Sequence, residues 1–216
     1  MSPTPGAGDN VAPPTDYRLL LPQGWFRVRI DPEGRERSVD ALLERQFAGI
    51  DNAPHIRQQV RENLLAQAVA AFQDGGIELY ISLQDAGSLT IPASLLVTLL
   101  PPPPGGTLPT VYELVGLLSA DGDAEVSAVE LPTGAAARVR RMTGQSDRPA
   151  PADLPGGTDQ VLPSVTLDYQ IPVPGAGAHL LLTFSTPLVQ IADAMVELFE
   201  AVAGSLRWID GDETHE

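Results

Sequence analysis

The chain has 216 residues, 43% of them hydrophobic, with 13 basic and 28 acidic side chains and a formal net charge of −15. That is enough apolar material for one sizeable core, and it excludes wholesale disorder. The acidic balance excludes a general nucleic-acid binder, which needs clustered cations for phosphate, and it excludes adhesion to anionic lipid. In chain order, residues 1–16 read as a flexible Pro- and Gly-rich tail without a basic start or apolar run, so not as a signal peptide. Tyr17 to Leu21 reads as a short strand, Pro22 to Gly24 as a turn, and Trp25 to Ile30 as a second strand. On that strand Phe26, Val28 and Ile30 share one face, and Trp25, Arg27 and Arg29 share the other.

Two helices follow. Ser38 is the expected cap of the first, with Val39, Leu42, Leu43, Phe47 and Ile50 at helical spacing. The second runs from about Ala53 to Gln73 with Ile56, Val60, Leu64, Ala68 and Phe72 as its stripe, and Gly75 and Gly76 end it. Residues 77–84 alternate as a half-buried strand; 94–100 is continuously apolar and reads as a central strand. Pro101 to Pro104 stop it, and a short helix starts near Pro109. Ala124–Leu131 and Ala136–Thr143 flank Pro132-Thr133-Gly134 as a hairpin, and 144–163 reads as a mobile Pro/Gly-rich loop. Val165 to Val173 alternates, Pro174 to Gly177 turns the chain, and His179 to Phe184 returns. Thr186 caps and Pro187 opens a helix to about Ala203, with Leu188, Ile191, Met195, Leu198 and Val202 as its buried stripe and Phe199 beside it. Residues 209–216 read as an acidic tail. The expectation is α+β: one domain over 17–208, with strands in adjacent pairs giving a largely antiparallel sheet covered by helices.

The stretch Leu21-Pro22-Gln23-Gly24-Trp25 near the start resembles the Mog1/PsbP-like fold. So do Phe184-Ser185-Thr186-Pro187 and the run from Phe199 to Trp208 near the end. The likeness in element order covers most of residues 17–208, and it implies an α/β/α sandwich. It also implies a non-enzymatic binding module: members of that family include a Ran-binding factor, photosystem-associated subunits and bacterial proteins, some accompanying secretion machinery. It brings no catalytic motif to carry over. Association with an actinobacterial secretion system is a hypothesis that follows from the resemblance alone.

The chemical motifs fail one by one. There is no Cys, which excludes disulfides and thiolate chemistry. None of the three histidines, His55, His179 and His215, has a second ligand at metal spacing. No Ser sits in a Gly-x-Ser-x-Gly elbow. Asp121-Gly122-Asp123 begins like a calcium loop, but Val126 and Pro132 stand where Gly and Glu are needed. The glycine pairs lack the phosphate-binding lysine, since every basic residue is Arg, a usage that fits the codon bias of a GC-rich gene. No cofactor or metal is expected. Two sets remain as partner-binding candidates: Trp25 with Arg27 and Arg29, and the cluster Arg138, Arg140 and Arg141. The expectation is a cytoplasmic accessory module that binds a protein partner, with no nucleic acid and no membrane insertion. The alternatives are a carboxylate-based hydrolase or a small-ligand carrier using a cleft between sheet and helices.

Overall fold

A computed structural model describes residues 12–48, 54–86, 89–120, 122–143 and 163–210, with side chains for all of these except 83–86 and 89–90. Its elements are β1 (Asp16–Arg18), β2 (Trp25–Val28), α1 (Arg35–Gln46), α2 (Pro54–Gln73), β3 (Gly76–Ala86), β4 (Leu89–Leu100), α3 (Val111–Ser119), β5 (Glu125–Leu131), β6 (Gly134–Thr143), β7 (Ser164–Pro172), β8 (His179–Thr186), α4 (Ala192–Gly204) and β9 (Arg207–Ile209). The loop over 144–162 and the tails at 1–11 and 211–216 lie outside the described residues.

The alternation in β7 and β8 sets the architecture. Val165, Leu167, Tyr169 and Ile171 point one way and are buried, as are Leu180, Leu182 and Phe184 on the neighbouring strand. The period of two places all of them on one face, where α4 covers them. Around this hairpin seven strands pair in the order β2-β3-β4-β8-β7-β6-β5, every pair antiparallel. The expected α+β class, the largely antiparallel sheet and the central position of the 94–100 segment are all observed. The second face carries Val28, Leu79 and Leu96 under α1 and α2, and Ala137 under α3. The result is an α/β/α sandwich. A capping box, in which Thr110 and Glu113 exchange bonds, fixes the start of α3.

Four local expectations are corrected. Ser38 lies inside α1, because Asp31 already accepts the N–H groups that open the helix: Gly34 through its carboxylate at 2.9 Å and Arg35 through its carbonyl at 3.0 Å. Ser38 instead accepts the Arg29 backbone N–H at 3.0 Å. On α2, Ile56 and Phe72 are exposed while Ala68 and Ala71 are buried. Four-residue steps overrun a 3.6-residue turn, so the row from 56 to 72 winds about 160° round the helix and only its middle meets the sheet. On the last helix, a 3-10 turn over Val189–Ile191 precedes α4. Its tighter winding rotates Ile191 outward, and the buried set becomes Ala192, Met195, Val196, Phe199, Val202 and Ala203. Thr186 still accepts the Leu188 N–H at 3.2 Å, as a capping residue there should. The fourth correction is β9: Ile209, expected to open the acidic tail, is the last residue of this strand, which pairs with β1 so that Tyr17 opposes Trp208.

His179 is buried, with Nδ1 2.9 Å from the Gln170 side-chain nitrogen, and burial pushes its pKa below the ordinary value. The fold therefore binds the neutral ring, while the unfolded chain takes up a proton below about pH 6.5. The His179 contribution to stability is complete above that pH and is lost as pH falls toward the folded-state value. Thermal unfolding between pH 7 and pH 5 is expected to show a falling midpoint, and His179→Gln is expected to flatten that slope.

Candidate functional site

The arginines of the two candidate sets are held in intramolecular pairs. Arg138 is 8% exposed. It donates to Glu125 at 3.1 Å and to Glu200 at 2.9 Å, the first on the neighbouring strand and the second on α4. Arg140 reaches Asp193 on α4 at 2.7 Å. The two arginines do share a strand face, as the alternation implies. That face is the one α4 covers, because Arg140 stands in register with Leu167, itself opposite Phe184. Arg138 therefore clamps the helix instead of offering a free fork to a partner. The pairing left a trace in the sequence: Asp193 and Glu200 are seven residues apart, two helical turns, and so lie on one side of α4. Burial, reinforced by Glu200, pushes the nearby Tyr169 hydroxyl up to about 12. Arg141 faces the other way and binds Asp168 at 2.8 Å.

Arg27 and Arg29 line one concavity of about 400 Å³ with Asp31 and Ile77, and Trp25 stands apart from it. Trp25 is half-buried against the core beneath α4, and its indole N–H is buried without a partner. Arg29 lies past the end of β2 and binds Asp31 at 2.9 Å. Arg27 pairs with Glu78, whose carboxylate also accepts the hydroxyls of Tyr17 and, at 2.6 Å, Tyr80. Burial first, and then this carboxylate, raises the pKa of both tyrosines. The hub ties β1 to β3, and with it the small β1–β9 sheet to the end of the large one.

That attachment creates a cleft of about 250 Å³ which sequence reasoning missed. Its walls are Ile77, Leu99, Val173 and Ala178 at the end of the main sheet, Pro13 and Pro14 before β1, and Trp208 from β9. A register shift between Gly76 and Glu78 takes Ile77 out of the β3 ladder. Gly76 allows it: a Cβ there would meet the Ala71 carbonyl oxygen at 2.6 Å. Ile77 is 45% exposed and Leu99 43%. The cleft is built from the segment entering β1, from β3, β4 and β9, and from the turn between β7 and β8, which is why no local spacing announces it.

A second, larger opening of about 560 Å³ lies between α2 and strands β3, β4 and β8. Beside it Asp168 stands across the strand pair from Thr183. Burial holds the Asp168 carboxyl above the ordinary carboxylate range, outweighing the Thr183 hydroxyl and Arg141. Asp74, at the end of α2, lines the opening itself and is exposed. No group of three or more His, Asp or Glu side chains able to hold a metal occurs among the described residues. No helix among them is long and apolar enough to cross a membrane.

No family model matches the chain, and no curated protein matches it. Two solved structures are similar to it. The Saccharomyces cerevisiae Ran-binding protein Mog1p is 12% identical, with a TM-score of 0.44 over 91% of this chain and 92% of that one. A mutant of the protein Mog1 is 13% identical, with a TM-score of 0.38 over 62% of this chain and 80% of that one. Both are Mog1 structures, the family that the Leu21–Trp25 and Phe184–Pro187 stretches resemble, and at this identity the similarity is one of fold.

Proposed function

We propose that the protein is a non-catalytic interaction module that receives a protein partner at the cleft between the main sheet and the β1–β9 pair. The observation that carries this reading is the grouping of exposed Ile77 and Leu99 with Trp208 in one concavity. Single exposed apolar residues are ordinary on a protein surface; apolar side chains gathered in a cleft beside a Trp are typical of interaction anchors. The chain around it carries a net charge of −15. The partner is accordingly a protein that inserts an apolar or aromatic side chain from a basic surface, so that steering and burial act together.

The test uses the full chain as bait in a lysate of its native host, followed by binding measurements with the purified partner. Ile77→Glu combined with Leu99→Glu is expected to abolish capture. Ile56→Glu, which alters an equally exposed apolar residue on α2 outside the cleft, is expected to leave it intact. Association with secretion machinery belongs to this proposal, and recovery of none of that machinery counts against that part of it.

A further inference from the structure

The geometry points to a second binding site, for a small uncharged amphipathic molecule, in the opening beneath α2. It is separate from the end cleft, and its failure leaves the protein-partner reading untouched.

The site follows from how the helices divide one sheet face. Helices α1 and α2 pack over the β2–β3–β4 end, and α3 packs over β5 and β6. On this face, among the described residues, α3 reaches across to β7 and β8 is left as the strand facing the opening. The sequence of β8 registers this. Its apolar residues Leu182 and Phe184 are fully buried on the α4 side, while the intervening positions are Thr183 and Ser185, both half-buried. Ser185 stands directly opposite Ser94 on β4. Three hydroxyls therefore line one side of the opening. The α2 side is mainly apolar: Leu64 and Ala71 face it with Leu79 and Ile81 of β3, and Gln67 is the uncharged polar residue among them. A floor that met only solvent would tolerate charges, and one that met a helix would be apolar. Hydroxyls beside an apolar wall fit an occupant with one polar edge.

The lining also excludes charge on the occupant. No basic side chain lines the opening among the described residues, so an anion has no counter-ion there. Asp74 lines it just beyond the C-terminal end of α2, and both its charge and the negative end of the helix dipole repel anions. A cation finds one solvated carboxylate in the lining, since Asp168 beside the opening is already paired with Arg141. The volume of about 560 Å³ suits a molecule of drug-like size. Room is left because α2 presents Ala70 and Ala71 here, and Ala70 is exposed at the mouth.

The experiment is a titration of the full, ¹⁵N-labelled chain followed by two-dimensional NMR, with three probes: 1-naphthol, naphthalene and 1-naphthalenesulfonate. 1-Naphthol is expected to give saturable shifts at the amides of Ala71, Leu96 and Thr183, with the sulfonate at least about tenfold weaker. Ala70→Phe, which fills the mouth from an exposed position, is expected to remove 1-naphthol binding. Ser94→Ala with Ser185→Ala is expected to weaken 1-naphthol about fivefold, roughly one or two hydrogen bonds, and to leave naphthalene unchanged. The inference is overturned by absence of saturable 1-naphthol binding to the wild type, by binding that survives Ala70→Phe, or by equal affinity for the sulfonate.

Discussion

Replacing Phe199 with Ala is expected to cost about 3–5 kcal/mol of stability, the range for truncating a fully buried aromatic residue. Phe199 is 0% exposed and stacks on Phe184, with ring centroids 5.0 Å apart and planes 19° from parallel. Tyr169 meets Phe184 edge-on at 6.5 Å, so the stack stands at the crossing of α4 with the central hairpin. Deleting the ring leaves a cavity between a rigid sheet and the helix that covers this face, and neither side can close it without moving the whole helix. Urea unfolding should show a large fall in midpoint with an unchanged slope. Leu117→Ala on α3 supplies the comparison: Leu117 is 64% exposed, and its loss should stay within about 0.5 kcal/mol. Similar effects of the two substitutions would mean that α4 is not seated on the sheet as described.

The second large effect is expected from Arg138→Glu. The guanidinium is almost enclosed, between Glu125 and Glu200. Reversing its sign buries a carboxylate beside two others, and a loss of about 3–5 kcal/mol is expected by analogy with broken buried pairs. Arg138→Met should cost far less. It keeps most of the volume, and it releases two carboxylates that already face solvent, with side chains 64% and 44% exposed. The order Glu far worse than Met distinguishes a clamp on α4 from a surface recognition residue, for which both changes would leave stability nearly untouched. It also means that charge reversal at Arg138 reports folding before it reports binding.

The parts of the fold legible in the sequence are those fixed by one strong period over many residues. The alternation in Val165–Val173 and Ile77–Ile81, the hairpin around Pro132-Thr133-Gly134 and the sharp stop at Pro101 all name their elements directly. A single helical period fails where two windings meet. The 3-10 turn before α4 breaks the 3.6-residue stripe, and the four-residue row on α2 winds off the sheet. β9 has three residues, too few for alternation to show. The site was less legible for a physical reason. Whether Arg138 and Arg140 face a partner or a helix depends on which face α4 covers, and that is a property of the whole sheet. The end cleft needs Pro13, Ile77, Leu99, Val173 and Trp208 together, five positions spread over nearly the whole chain. The paired hydroxyls Ser94 and Ser185 become neighbours only once β4 and β8 are known to be adjacent.

The most direct test of the central claim is the affinity of the purified partner for the wild type, for Ile77→Glu combined with Leu99→Glu, and for Ile56→Glu, by titration calorimetry at matched folded fraction. Loss of two apolar contacts at a hot spot predicts a weakening of about thirtyfold or more for the double variant, with Ile56→Glu within about twofold of wild type. A double variant that binds as tightly as the wild type would contradict the assignment of the end cleft as the docking site.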